Sequence, residues 1–378
     1  MNVVELLADL VRIPSVNPSL APGEATGEAA IASFIREWLA RHEIHATLEE
    51  ASPGRPNVVG KLGGGPGPTL VFCAHIDTVG TAGMTIAPFE PAQRDGKLYG
   101  RGSFDMKGGL AAVMVAGARL QQAWAQAPQG PPGTLLLALV ADEEYTSIGA
   151  DHFVANHRAD ACVLAESSEG DLIIAHKGFV WLTVRTTGRA VHGSRWDLGQ
   201  SAIGPMARIV DALERFDRET LRSRKHPLVG PASMHCGLIQ GGVGLSTYAP
   251  HCTIRLERRT LPGELPEQVA QEIREVISAI RESADVTIDF SRPPLLGDPQ
   301  APIANAIRVA VRDVTGAAPR DAGAGYWMDS AVFASAGIPT VVYGPRGFGA
   351  HEAVEWVDLG SVAQCADVLV RGAERYFE

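Results

Sequence analysis

The stretch VFCAHIDTVG, Val71 to Gly80, is an apolar run that closes with a histidine and an aspartate two residues apart, followed by a glycine turn. Side chains at i and i+2 of a strand share a face. His75 and Asp77 are therefore neighbours at the point where a strand leaves its sheet. A run that is apolar on both faces belongs to a sheet covered on both sides.

Working outward, the same signature recurs. GTLLLALVADEE (133–144) and DACVLAES (160–167) are short apolar runs that end in acids, and IPTVVYGP (338–345) is a later strand. PNVVGKL (56–62) reads as a strand and LGGGPGP (62–68) as a hairpin turn or loop. Helical periods lie between and beyond them, over Met1–Ile13, Thr26–Arg41, Met106–Gln126 and Val362–Tyr376. Strands alternating with helices predict an α/β fold, with a mostly parallel sheet flanked by helices. After His176–Gly178 the pattern changes. FVWLTVRTTG (179–188), HCTIRLERR (251–259) and DVTIDF (285–290) alternate as strands, while Ser201–Phe216 and Val269–Ile280 are amphipathic helices. This β-α-β-β-α-β-like block, 178–291, is expected to fold as a smaller inserted α+β domain, leaving 1–177 and 292–378 as one discontinuous domain.

Composition agrees with an ordinary soluble protein of two domains: 378 residues, 46% apolar, 20% charged. A net charge of −10 argues against a nucleic-acid surface. No apolar run reaches membrane-spanning length, and the N-terminus lacks a signal-peptide pattern. Cys73, Cys162, Cys236, Cys252 and Cys365 are odd in number and scattered, which favours reduced thiols in a cytoplasm.

Open α/β sheets place ligands at the carboxyl ends of their strands. Collecting the polar residues there gives His75 and Asp77, then Asp105 in the loop YGRGSFDMKGG, Asp142, Glu143 and Glu144, Glu166, and His351 in GPRGFGAHEAVEWV. Carboxylates converging in a cleft are costly unless a cation neutralises them. Imidazoles with carboxylates suit zinc, and this set exceeds what one open catalytic zinc uses. Two metals bridged by one carboxylate would use it all. His75 would then be a ligand, with Asp77 behind it holding the other ring nitrogen. Each piece alone has a plainer reading as a cap, a solvated acid or a loop histidine. Their joint occurrence at strand ends is what points to a site.

The motifs AHIDTVG, YGRGSFDMKGGLAA, ADEEYTSIGA, LAES, AVHGS and GAHEAVEWV, spanning 75 to 357, resemble the co-catalytic zinc amidohydrolases and exopeptidases. That family includes acetylornithine deacetylase, succinyl-diaminopimelate desuccinylase, aminoacylase and glutamate carboxypeptidase. The resemblance implies two Zn2+, with Co2+ or Mn2+ as substitutes. It implies His75 and Glu166 on one metal, Glu144 and His351 on the other, and Asp105 bridging them. It further implies Glu143 as general base acting on a metal-bridged water, Asp77 as orienter, and a cis peptide after Asp105. The inserted block resembles the family's dimerisation and lid domain, with His192 reaching a partner's active site in a homodimer and Arg259, beside Arg258, gripping a substrate carboxylate. Where relatives carry asparagine, GGVGLSTYAP has Ser246 and Thr247, which makes Thr247 the substrate-contact candidate and leaves the substrate open. Glutamate rather than aspartate at 166 leans toward deacylation or carboxypeptidase action. The implied activity is hydrolysis of the amide bond of a small N-acyl amino acid, with a metallo-carboxypeptidase or dipeptidase as the alternative. A non-catalytic binding protein on the same scaffold is disfavoured because every expected ligand and the base are present. A nucleotide-binding reading of KLGGGPGP lacks the G-K-[ST] that would support it. Tyr326 and Trp327 are pocket walls or core aromatics.

Overall fold

The computed structural model describes residues 2–24 and 26–378. The Met1 end of the expected first helix lies outside the described residues; the helix itself runs Val3–Arg12, capped by the Asn2 side chain. By internal packing the chain divides into two compact units. The first is Met1–Ile174, Gly297–Ala322 and Met328–Glu378; the second is Ala175–Leu296 with Gly323–Trp327. The second unit thus also takes in a short segment that a linear reading places with the main body.

The first unit is built on a sheet whose strands run, from one edge, His45–Ser52, Arg55–Gly63, Thr134–Val140, Thr69–His75, Ala161–Leu164, Thr340–Val342 and Leu172–His176. The four middle strands from Thr134–Val140 to Thr340–Val342 are parallel, and the flanking pairs are antiparallel. Leu70 to Ala74 are fully buried, as a strand covered on both faces requires. Because Thr134–Val140 lies between Arg55–Gly63 and Thr69–His75, residues 64–68 form a loop that crosses over a strand, not a hairpin turn. Helices Val3–Arg12, Gly108–Gln126, Pro302–Thr315 and Leu359–Phe377 pack on one another. The expected helix from Met106 starts at Gly108 instead, because Asp105 and Met106 hold non-helical backbone angles; the Asp105–Met106 peptide is cis.

The second unit has a four-stranded antiparallel sheet in the order Ser233–Gly241, His251–Thr260, Gly178–Thr187, Asp285–Arg292. Helices Ile203–Glu219 and Pro266–Ala279 supply Met206, Ile209, Leu213, Val269, Ile273 and Ile277 to a core shared with Val180, Leu182, Val184, Ile254 and Leu256 of the strands. The alternate strand residues lie on the other face.

Candidate active site

Three parallel strands deliver their carboxyl ends to one place. Thr69–His75 ends in His75 itself. Its two neighbours, Thr134–Val140 and Ala161–Leu164, run on into Glu143 and Glu144 and into Glu166. Asp105 comes from the loop before helix Gly108–Gln126. That helix closes on the sheet at Gly109, where a Cβ would stand 1.9 Å from the Ala165 carbonyl oxygen. His351 comes from the loop between Gly347–Phe348 and Trp356–Asp358.

Asp105 faces both histidines with different oxygens. Its Oδ1 lies 3.1 Å from His75 Nε2, and its Oδ2 lies 3.2 Å from His351 Nε2. Glu166 Oε2 is 3.4 Å from His75 Nε2, and Glu144 Oε2 is 2.9 Å from His351 Nε2. Two groups result, His75–Asp105–Glu166 and Asp105–Glu144–His351, each with its ligating atoms within 4.8 Å of one another and each fit to hold a metal ion. Glu143 Oε2 stands 4.0 Å from His75 Nε2, outside both groups.

The electrostatics state the same fit. Burial pushes the Glu144 carboxyl up to about 7, and the Asp105 charge adds to the rise. Burial also raises Glu143 and Glu166. Against burial, the His351 and His75 rings hold the Asp105 carboxyl well below the usual carboxylate range. The Asp105 and Glu144 carboxylates push His351 up to about 10. His75 is raised well above its ordinary value by Asp105, Asp77 and Glu166, in spite of its burial. The protein alone thus balances its carboxylates by charging both rings. Two divalent cations would balance them with the rings neutral, which is the form that ligates metal.

Asp77 is fully buried behind His75. His75 Nδ1 lies 3.1 Å from the Asp77 carbonyl oxygen and 3.5 Å from its carboxylate. The carboxylate also accepts from the backbone N–H of Glu143 and Glu144, at 3.1 and 3.3 Å, and from Asn17 Nδ2 at 2.7 Å. It therefore ties the ring to the loop that carries the proposed base. Asp142 is turned away from the metal groups and accepts from Asn17 and from Arg55, which also holds buried Glu28. Asn17, Arg55 and Glu28 carry no motif that a sequence reader would single out. Glu355 lies within the motif GAHEAVEWV, where the resemblance implies no role for it; it is a fully buried carboxylate that accepts from Arg101 Nη1 at 2.8 Å and from the backbone N–H of Gly102, Phe104 and Asp105 at 2.9, 2.9 and 3.1 Å. Glu355 shapes the loop that presents Asp105.

His192, Thr247 and Arg259 belong to the second unit. A β-bridge joins His192 to Thr247, and Gly193 N–H donates to the Ser246 carbonyl, so their two loops form one substructure. His192 is exposed, with Nδ1 at 2.8 Å from Ser194 Oγ. Arg258 points into the second unit's core and pairs with Glu264 at 2.7 Å; Arg259 is the partly exposed arginine of the two. Trp327 is buried and donates to the Pro293 carbonyl, whereas Tyr326 is exposed.

A profile of Peptidase family M20/M25/M40 matches residues 71–375, and the chain belongs to that family. It is a hydrolase acting on amide bonds. Acetylornithine deacetylase of Photorhabdus laumondii is 28% identical over 97% of this chain and 95% of its own length. The enzyme of the same name from Proteus mirabilis is 26% identical over 99% and 96%. Among solved structures, an M20-family metallo-carboxypeptidase from Sulfolobus solfataricus superposes with a TM-score of 0.81 at 16% identity, covering 100% of this chain and 99% of that one. A dinuclear metal-binding M20-family peptidase from Bacillus subtilis superposes with a TM-score of 0.73 at 16% identity, over 98% and 96%. Among the described residues no helix is long and apolar enough to cross a membrane.

Proposed function

We propose that this chain is a dinuclear metal-dependent deacylase that releases an amino acid from a small N-acyl amino acid. The observation that carries the reading is Asp105, whose two carboxylate oxygens face two separate histidine–glutamate pairs. Full-length relatives named acetylornithine deacetylase support the choice of substrate class. His75, Asp105 and Glu166 would hold one ion, and Asp105, Glu144 and His351 the other, with zinc the metal we favour and cobalt or manganese as substitutes. Such a metal pair supplies the acidity that makes water a nucleophile near neutral pH and positive charge against an oxygen that becomes negative.

The chain's own residues do the rest. Glu143, outside both metal groups, takes a proton from the attacking water and returns it to the leaving nitrogen. Asp77 fixes the His75 ring and, through the backbone of residues 143 and 144, the position of that base. His192 donates to the developing oxyanion, and Arg259 with Thr247 holds the substrate's far end. A homodimer through the second unit would let His192 act in a partner's site. Its sheet ends in the strand Ser233–Gly241, with Leu238, Ile239, Val243, Leu245 and Trp196 exposed on that strand and nearby loops. A cytoplasmic location fits the buried, free cysteines Cys73, Cys162, Cys252 and Cys365. Carboxypeptidase or dipeptidase action would use the same residues. The test is a panel of N-acyl amino acids against dipeptides, with zinc added. Deacylation at a kcat/KM well above that for any dipeptide supports the proposal; the reverse order replaces it with the peptidase reading.

A further inference from the structure

Behind the metal groups lie three buried carboxylates, Glu28, Asp77 and Asp142. Arg55 bonds to two of them. Its Nε donates to Glu28 Oε2 at 2.6 Å, and its Nη2 donates to Asp142 Oδ1 at 2.8 Å. Asp77 and Asp142 are joined by a neutral group instead. Asn17, itself fully buried, donates through Nδ2 to Asp77 Oδ2 at 2.7 Å and to Asp142 Oδ1 at 3.0 Å. An amide nitrogen carries two N–H donors, so each carboxylate takes one. The amide fits only this way round. Asn17 Oδ1 accepts from the Ser19 backbone N–H at 3.0 Å, and a flipped amide would press that oxygen against two carboxylates. The backbone holds the residue in place: the Asn17 N–H donates to the Thr78 carbonyl at 2.8 Å, and Val16 forms a β-bridge with Thr78.

Each arm of this brace ends at a group the proposed reaction needs. The Asp77 carboxylate stands 3.5 Å from His75 Nδ1 and accepts from the Glu143 N–H at 3.1 Å. Asp142 is the residue just ahead of Glu143. Its φ is 69°, a left-handed conformation that few residues other than glycine adopt and that aspartate tolerates. Its polar groups fasten the turn: Oδ2 accepts from the Thr146 N–H at 3.2 Å and from Thr146 Oγ1 at 2.7 Å, and the Asp142 carbonyl accepts from the Ser147 N–H at 2.6 Å. With its carboxylate tied to Asn17 and Arg55, Asp142 sets where Glu143 leaves the turn. Without Asn17, two buried carboxylates would lose a donor each, and their repulsion would be relieved by a shift of His75, of the turn, or of both.

We propose that Asn17 is a positioning residue of the catalytic centre, its amide bracing the carboxylate that orients His75 against the carboxylate that fixes the turn presenting Glu143. The proposal rests on the reading of Glu143 as the base and goes beyond it in assigning Asn17. The test uses the full-length protein carrying Asn17→Ala, Asn17→Ser or Asn17→Asp. Zinc affinity is read by metal competition, and kcat and KM are read on N-acetylornithine at saturating zinc. Supporting partners of this kind are worth about 10- to 100-fold. Asn17→Ala should weaken zinc binding about tenfold or more. Its kcat should stay down by about tenfold or more once zinc saturates, with KM within about twofold. Asn17→Ser keeps one donor and an acceptor for the Ser19 N–H, and should fall between alanine and the native protein. Asn17→Asp keeps the shape and the acceptor but turns a carboxylate on two others, so it should be at least as impaired as alanine. A role confined to turning the loop at Ser19 predicts the opposite, with aspartate close to native. Native kcat at saturating zinc in the alanine protein, a loss confined to KM, or a near-native aspartate protein overturns the assignment. Where the alanine protein does not fold, the serine protein decides: a partial loss of both zinc affinity and kcat upholds the brace, and native values reject it. If the native chain does not hydrolyse N-acetylornithine, the deacylase reading fails by itself. Zinc competition then still decides the brace: weakened binding in the alanine and aspartate proteins upholds it, and native affinity in both rejects it.

Discussion

The two units handle charge in opposite ways. In the first, Asp105, Glu143, Glu144 and Glu166 gather around two imidazoles, so the region has an excess of carboxylates that two divalent cations would settle with the rings neutral. In the second, the arginines pair locally, Arg258 with Glu264 and Arg259 with Glu257, both at 2.7 Å. A folded protein avoids the first arrangement unless a ligand completes it. The contrast teaches that the first region is built to take positive ions, whereas the second settles its charges within itself.

The contrast can be broken at several points. The largest effect is expected at its hinge. Asp105→Asn removes the charge shared by both groups and should abolish stoichiometric zinc at both, with activity down by on the order of 10⁴-fold. Elemental analysis showing both ions retained would break the two-group picture. Next comes Glu143→Gln, which lies outside the groups. It should keep both metals yet lower kcat by about 10²–10⁴-fold; lost zinc would make Glu143 a ligand instead of the base. His192→Ala should cost about 10²–10³-fold in kcat with metal content unchanged. Mixing its subunits with Glu143→Gln subunits should recover activity if the histidine serves a partner's site, and no recovery would place it in its own. The smallest effect on chemistry is expected from Glu355→Gln. It keeps every proposed ligand but weakens the hold on the Asp105 loop and leaves Arg101 buried without its carboxylate. Zinc affinity should fall about 10- to 100-fold, and stability by about 3–5 kcal/mol, read by metal competition and denaturant titration. Unchanged zinc affinity would show that the loop needs no such support.

How much of this the sequence discloses follows from range. The parallel strands are legible because a run such as LVFCA is apolar on both faces, and a local pattern suffices. The edge strand His45–Ser52 escapes notice because its polar, half-exposed residues give no such run. Ser233–Gly241 escapes for a related reason: a bulge between Cys236 and Leu238 breaks its alternation, and its outer half is exposed. At the site, His75 and Asp77 can be paired from the i, i+2 rule alone. The rule does not disclose that the Asp77 carboxylate is shared with Asn17, 60 residues earlier, or that Glu355 reaches back 250 residues to the Asp105 N–H. Contacts of that span come from the fold, and nothing in HEAVEWV marks Glu355, the second of its two glutamates, as making them.

The central claim is that Asp105 is shared by two metal ions. Anomalous diffraction at the zinc edge, from crystals of the zinc-loaded protein, tests it most directly. Two peaks are predicted, one beside His75 and Glu166 and one beside His351 and Glu144, with the Asp105 carboxylate between them. A single peak, or two peaks of which either is out of reach of Asp105, would contradict the account.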